Sequence, residues 1–182
     1  MKKILALLIA GSAMVACSSN QAPVEAPVVQ QPTASTELAQ EEANTNSVYF
    51  AFNQYDVQDQ YAGLVQANSG YIASNTAAVV KVEGNTDDIG SVEYNLSLGQ
   101  KRADAVKKAL IAAGASKAQI EATSNGKLHP KFDNATDDGR AMNRRSDIMY
   151  TAGQPAGYSL DASGVPNADK TLYQGTVQKG VQ

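Results

Sequence analysis

Hydrophobic and polar positions divide the chain into three unequal parts. Residues 4–16 form one apolar run, residues 18–45 show no lasting period, and residues 46–150 alternate between strand-like and helix-like spacing. In that middle part, residues 47–52 (SVYFAF) are aromatic and β-branched and predict a strand. Val57, Tyr61, Leu64, Val65 and Ile72 recur at helical spacing, predicting an amphipathic helix over 57–72. A second strand is expected over 77–83 (AAVVKVE). A long helix is expected over 92–113, with Leu98, Val106 and Leu110 on one face and Gly114 as its stop. Residues 119–124 read as a third strand, 138–143 as a short helical turn and 144–150 (RRSDIMY) as a last strand. The order β-α-β-α-β-(α)-β predicts an α+β domain with helices packed on one face of a small mixed sheet. Residues 152–182 carry Gly153, Gly157, Gly164, Gly175 and Gly180 and read as a flexible tail, with a transient strand over 171–177.

The start of the chain changes the picture from a free domain to an anchored one. Lys2 and Lys3 precede a short apolar stretch and small residues, the layout of a secretory signal over residues 1–16. That stretch is short for a bilayer span. Cys17 is the only cysteine, so it has no intramolecular disulfide partner. Residues 14–17 (MVAC) resemble a bacterial lipobox, which makes Cys17 the expected lipidation site. Several acyl chains hold a protein far more firmly than one. Ser18, a residue other than Asp, implies by the same resemblance the outer membrane, with the domain facing the periplasm. Residues 17–45 then form the lipidated cysteine and a leash: three prolines, four glutamates and no basic residue. Fully stretched it would reach about 90–100 Å.

Charge narrows the partners. The chain has 15 basic and 18 acidic residues. Loss of residues 1–16 leaves 13 basic against 18 acidic, a formal charge of −5. Nucleic acid is excluded as a partner, since phosphate binding needs clustered positive charge. Catalytic signatures are sparse. There is one histidine, His129, and no Gly-x-Ser-x-Gly elbow, His-Glu-x-x-His or phosphate loop. Glu83, Asp87, Asp88 and Glu93 can be read as paired carboxylates for glycoside hydrolysis or as oxygen ligands for a cation. A binding role is the stronger reading, with no enzyme activity and no cofactor or metal expected.

The segment 82–106 (VEGNTDDIGSVEYNLSLGQKRADAV) places a carboxylate-bearing turn before a helix that carries Lys101 and Arg102. Together with 49–56 (YFAFNQYD), 94–98 (YNLSL) and 139–145 (GRAMNRR), it resembles the OmpA-like peptidoglycan-binding family, and within it the peptidoglycan-associated lipoproteins, over residues 48–150. The domain boundaries expected from this are 46–151. The resemblance implies a ligand, the diaminopimelate residue of the peptidoglycan stem peptide. Its far end carries an ammonium and a carboxylate on one carbon. By correspondence Asp87 takes the ammonium and Arg102 the carboxylate, with Asn53, Asn95 and Arg144 lining the pocket. It also implies a tether between outer membrane and cell wall, and a second partner, the periplasmic propeller protein of the Tol system. Read without the resemblance, Asp87 closes a turn and Arg102 is a solvated helix residue. Adjacent strand residues face opposite ways, so only one of Arg144 and Arg145 can reach the pocket. Several positions depart from the family's usual residues: Asn85 where His is common, Ala51 and Asn53 where Asp is frequent, Ser124-Asn125 where an aromatic is usual before Gly, and Ser146 in place of an apolar residue.

Overall fold

A computed structural model describes residues 45–167 of the 182-residue chain. The expected signal, Cys17, nearly all of the leash and the 171–177 strand lie outside the described residues.

Strand β1 is Ser47–Tyr49, followed by helix α1 at Ala62–Ser74 and strand β2 at Val79–Asn85. Helix α2 is Val92–Ala112, strand β3 Ile120–Gly126, helix α3 Asp137–Asn143 and strand β4 Arg145–Ala152. Two short strands close the described chain, β5 at Ser159–Leu160 and β6 at Pro166–Asn167. The main sheet has the order β1-β4-β2-β3. β4 runs antiparallel to both its neighbours, and β2 and β3 are parallel. This is the expected α+β mixed sheet.

One face of β2 and β4 builds the core. Val80 and Val82 on β2 and Ile148 and Tyr150 on β4 are buried together with Val65 and Ile72 of α1 and Val106 and Leu110 of α2. The alternate residues of β2, Lys81 and Glu83, stand on the sheet's other face. α2 is started by Ser91, whose hydroxyl accepts from the Tyr94 amide at 3.1 Å. It stops as expected at Gly114, whose φ of +112° suits glycine. β2 and α2 approach each other unusually closely: a Cβ on Gly84 would stand 1.8 Å from the Gly99 carbonyl oxygen. That contact presses the end of β2 against the helix that carries Arg102.

Boundaries differ from the sequence reading where loops compete with strands. β1 ends at Tyr49, not at residue 52, because residues 51–54 fold into a turn closed by Gln54 N–H on the Ala51 carbonyl at 3.1 Å. β2 starts two residues late, at Val79. The Asn75 carboxamide and carbonyl hold the amides of Ala77 and Ala78 at 3.1 and 3.0 Å, in the turn that ends α1. A 3₁₀ turn at Asp59–Tyr61 delays α1.

The larger correction concerns the end of the domain. The tail expected from residue 152 is folded as far as Asn167. Tyr158 packs edge-on against Tyr150, ring centroids 5.2 Å apart, and its hydroxyl accepts from the Tyr150 amide at 3.1 Å. Val165 is buried, the Pro166 carbonyl accepts from Asn46 N–H at 2.6 Å, and Asn167 bridges to Thr45. Glycines at 153, 157 and 164 all have positive φ and make the bends of this return segment. Glycine density marked turns here, not disorder.

Candidate functional site

The five residues expected to form the pocket come together at one end of the sheet. Asn53 lies in the turn after β1, Asp87 in the loop after β2, Asn95 and Arg102 on α2, and Arg144 at the α3–β4 junction. Their roles in the geometry differ sharply.

Asp87 is 4% exposed. One carboxylate oxygen accepts from Arg144 Nη1 at 3.2 Å, and the other accepts from the Ile89 amide at 3.3 Å. It therefore closes a turn and meets a guanidinium at once. Arg144 is anchored by Nε on the Phe50 carbonyl at 3.2 Å, and its side chain keeps 18% of its surface in solvent. It is the cation of this group that solvent reaches.

Arg102 is fully buried, not solvated. Nε donates to the Gln54 carbonyl at 2.8 Å, Nη1 to that of Asn85 at 3.0 Å and Nη2 to that of Ala51 at 3.2 Å. The guanidinium carbon lies 5.1 Å from the centre of the Phe50 ring. Burial pushes its pKa down to about 10; nearby Asp87 acts against that shift and Arg144 with it. Even so it stays charged at neutral pH. Its removal would leave three carbonyls short of a donor.

Asn95 is a brace. Its amide nitrogen donates to the carbonyls of Ile89 at 2.8 Å and Ser91 at 2.9 Å, holding the loop that carries Asp87 against α2. Its Oδ1 is buried with no partner. Asn53 is exposed, has φ +58°, and accepts a hydrogen bond from the Tyr94 hydroxyl. Lys127 completes the loop from outside, its Nζ donating to the carbonyls of Asp88 at 3.0 Å and Gly90 at 2.6 Å.

Arg144, just before β4, and Arg145, its first residue, meet different partners. Arg145 is buried and meets both oxygens of Asp147, at 2.9 and 3.2 Å. Asp147 also accepts from Ser47 at 2.7 Å, from Asn85 at 3.2 Å and from Lys131 at 3.3 Å. This buried cluster was missed by sequence reasoning. Its signal was available only as an acid two residues after an arginine on a strand. It reaches the site through Asn85, whose side chain answers Asp147 and whose backbone carbonyl answers Arg102. Asn85 thus forms a neutral link between the cluster and the pocket.

Two of the carboxylates considered for hydrolysis are engaged elsewhere. Glu83 is turned to Lys81, at 2.9 Å, and to the Asn125 amide, at 3.1 Å, while Asp87 serves Arg144. A groove of about 510 Å³ runs along α2 between Tyr55–Val57 and Lys101, Asp104 and Lys108, and none of the five expected residues lines it. The segments around Asp87 expose four large apolar side chains, Phe52, Ile89, Tyr94 and Leu128, each about half exposed, beside exposed Asn53, Asp88 and Glu93. One anion and two cations beside exposed apolar side chains suit a small dipolar group carried on a larger molecule.

Comparison with known proteins bears on the same region. The OmpA family profile matches residues 49–144. A peptidoglycan-associated lipoprotein of Haemophilus influenzae is 36% identical over 151 residues, covering 82% of this chain and 99% of that protein. The crystal structure of the peptidoglycan-associated lipoprotein from Burkholderia pseudomallei superposes with a TM-score of 0.57 at 47% identity, covering 58% of this chain and 89% of that one. The C-terminal domain of Helicobacter pylori MotB shares the fold, with a TM-score of 0.54 at 22% identity over 60% of this chain and 85% of that one.

Proposed function

The chain belongs to the OmpA family, and from that premise we propose that it is a peptidoglycan-binding lipoprotein of the bacterial envelope. In the finer reading, lipid on Cys17 holds it to the outer membrane. The 45–167 domain, in the periplasm, grips the diaminopimelate of the stem peptide without a covalent bond. The observation that carries this reading is the Asp87–Arg144 pair at 3.2 Å, with the Arg102 guanidinium buried behind it. One anion and two planar cations at one point fit an amino-acid head group. Asp87 receives the ammonium, in place of the Arg144 contact it makes here. Arg102 receives the carboxylate as a fork, which a lysine could not reproduce, and Arg144 lies beside it.

The test is calorimetric binding of a stem peptide containing diaminopimelate beside the same peptide with lysine, which lacks the second carboxylate. The lysine peptide should bind more weakly. Asp87→Ala should lose roughly 30-fold or more, the effect of unpairing a charge in a partly open pocket. Equal affinity for both peptides, or wild-type binding by a folded Asp87→Ala protein, would sink the assignment.

A second reading is an adaptor whose main ligand is a periplasmic protein such as the Tol-system propeller. The exposed apolar side chains of Phe52, Ile89, Tyr94 and Leu128 favour it, since exposed apolar patches often mark protein contacts. Pull-down from envelope extract with the wild-type and Asp87→Ala domains separates the two readings. A partner retained by both proteins in the absence of wall fragments supports the adaptor.

A further inference from the structure

The Arg102 fork is in use. Two of its three acceptors, the Ala51 and Gln54 carbonyls at 3.2 and 2.8 Å, belong to one four-residue turn. Ala51, Phe52, Asn53 and Gln54 are all exposed, so this turn is the layer between the buried guanidinium and solvent. Its root is held: Phe50 N–H donates to the Arg144 carbonyl at 2.8 Å, and Arg144 Nε donates back to the Phe50 carbonyl. Its tip has one side-chain tie, the Tyr94 hydroxyl on Asn53 Oδ1. Asn53 sits at φ +58°, a left-handed conformation that asparagine adopts more readily than most residues.

Arg102 has no surface in solvent, so a carboxylate can reach its remaining N–H groups only if this turn moves aside. Contact with a carboxylate is favourable in itself, because it pairs two opposite full charges where the present bonds pair one charge with neutral carbonyls. What opposes it is the tie that keeps the turn down. We infer that the Ala51–Gln54 turn is a flap over Arg102, latched by Tyr94 and Asn53. These two are positioning residues that set how often the guanidinium is available to a ligand carboxylate. The inference rests on the reading that Arg102 receives a carboxylate. It adds that the affinity carries the cost of opening, since a binding-competent state populated only part of the time lowers apparent affinity by that fraction.

Tyr94→Phe keeps the ring and deletes the latch hydroxyl. Asn53→Gly keeps the left-handed backbone and deletes the acceptor. Stopped-flow binding of the diaminopimelate stem peptide should show an association rate about fivefold faster in each single variant, about 1 kcal/mol for one hydrogen bond. The double variant should be no faster than either single one. Hydrogen exchange of the Arg102 Nε–H, followed by NMR without any peptide, should speed up by a similar factor. Unchanged Nε–H exchange in both variants, or independent additive effects in the double variant, would overturn the latch. Should the wild-type protein fail to bind the peptide, the functional reading falls, and the exchange measurement still decides whether the turn is a flap.

Discussion

Ser146 is the clearest case of a residue that does not match its surroundings. It lies on β4 opposite Val48 and Gly84, is fully buried, and its hydroxyl has no partner. A buried hydroxyl without a hydrogen bond costs free energy that a methyl group would not. Ser146→Ala should therefore stabilise the domain by about 1 kcal/mol, raising the melting temperature by about 4 °C. Scanning calorimetry checks this; a lower melting temperature would show that the hydroxyl has a partner after all. Arg102 is the opposite case. A charged side chain sits at a core position, and what makes it tolerable is a carbonyl acceptor on each of its three nitrogens rather than water.

At the scale of elements, the outer face of β2 and the return segment each carry a measurable consequence. Burial alone would push the Glu83 carboxyl up, but hydrogen bonds from Lys81 and Asn125, with the charges of Lys81 and Lys131, together hold it below its ordinary 4.5. A carboxyl whose folded pKa is depressed contributes stability that is fully present above the unfolded value and is lost as pH falls through the folded one. Glu83→Gln should thus flatten the stability profile between about pH 5 and 3, and cost at most about 1 kcal/mol at neutral pH. Urea melts across that range provide the measurement. The return segment is tied down by Tyr158 on Tyr150, by buried Val165, and by Lys131, which bonds both Asp147 and the Gly164 carbonyl. Ending the chain after Ala152 should lower stability by about 2–4 kcal/mol, from the apolar burial lost with Val165 and Tyr158. An unchanged urea midpoint would mean that these contacts contribute nothing net.

The whole molecule has a direction. Thr45 stands at the start of β1 beside Asn167, and the Ala51–Gln54 turn stands past its far end. The chain thus enters the domain at one end of the edge strand β1, and the site lies past the other end of that strand. Among the described residues no helix is long and apolar enough to cross a membrane, so the anchoring proposal depends on Cys17. Cys17→Ser should give an unprocessed or mislocalised precursor in fractionated cells. A normally processed protein that stays with the outer membrane would refute it.

The sequence by itself determined what is local. Apolar spacing placed the order of strands and helices. Gly114 placed the end of α2. The resemblance to the OmpA-like family, carried by short motifs, put Asn53, Asp87, Asn95, Arg102 and Arg144 forward as members of one candidate site. Their partners were not legible. Whether the Arg102 fork meets water, a ligand or a carbonyl depends on a turn about 50 residues away in the chain. Whether Asp147 is solvated depends on Ser47 and Asn85, 100 and 62 residues away. Glycine spacing marks the bends of residues 153–167 but not what they fold against, which is Tyr150 and Asn46. Periodicity records which face of an element is buried. Hydrogen-bond partners and solvent access are properties of the packed chain, so only the tertiary structure decided them.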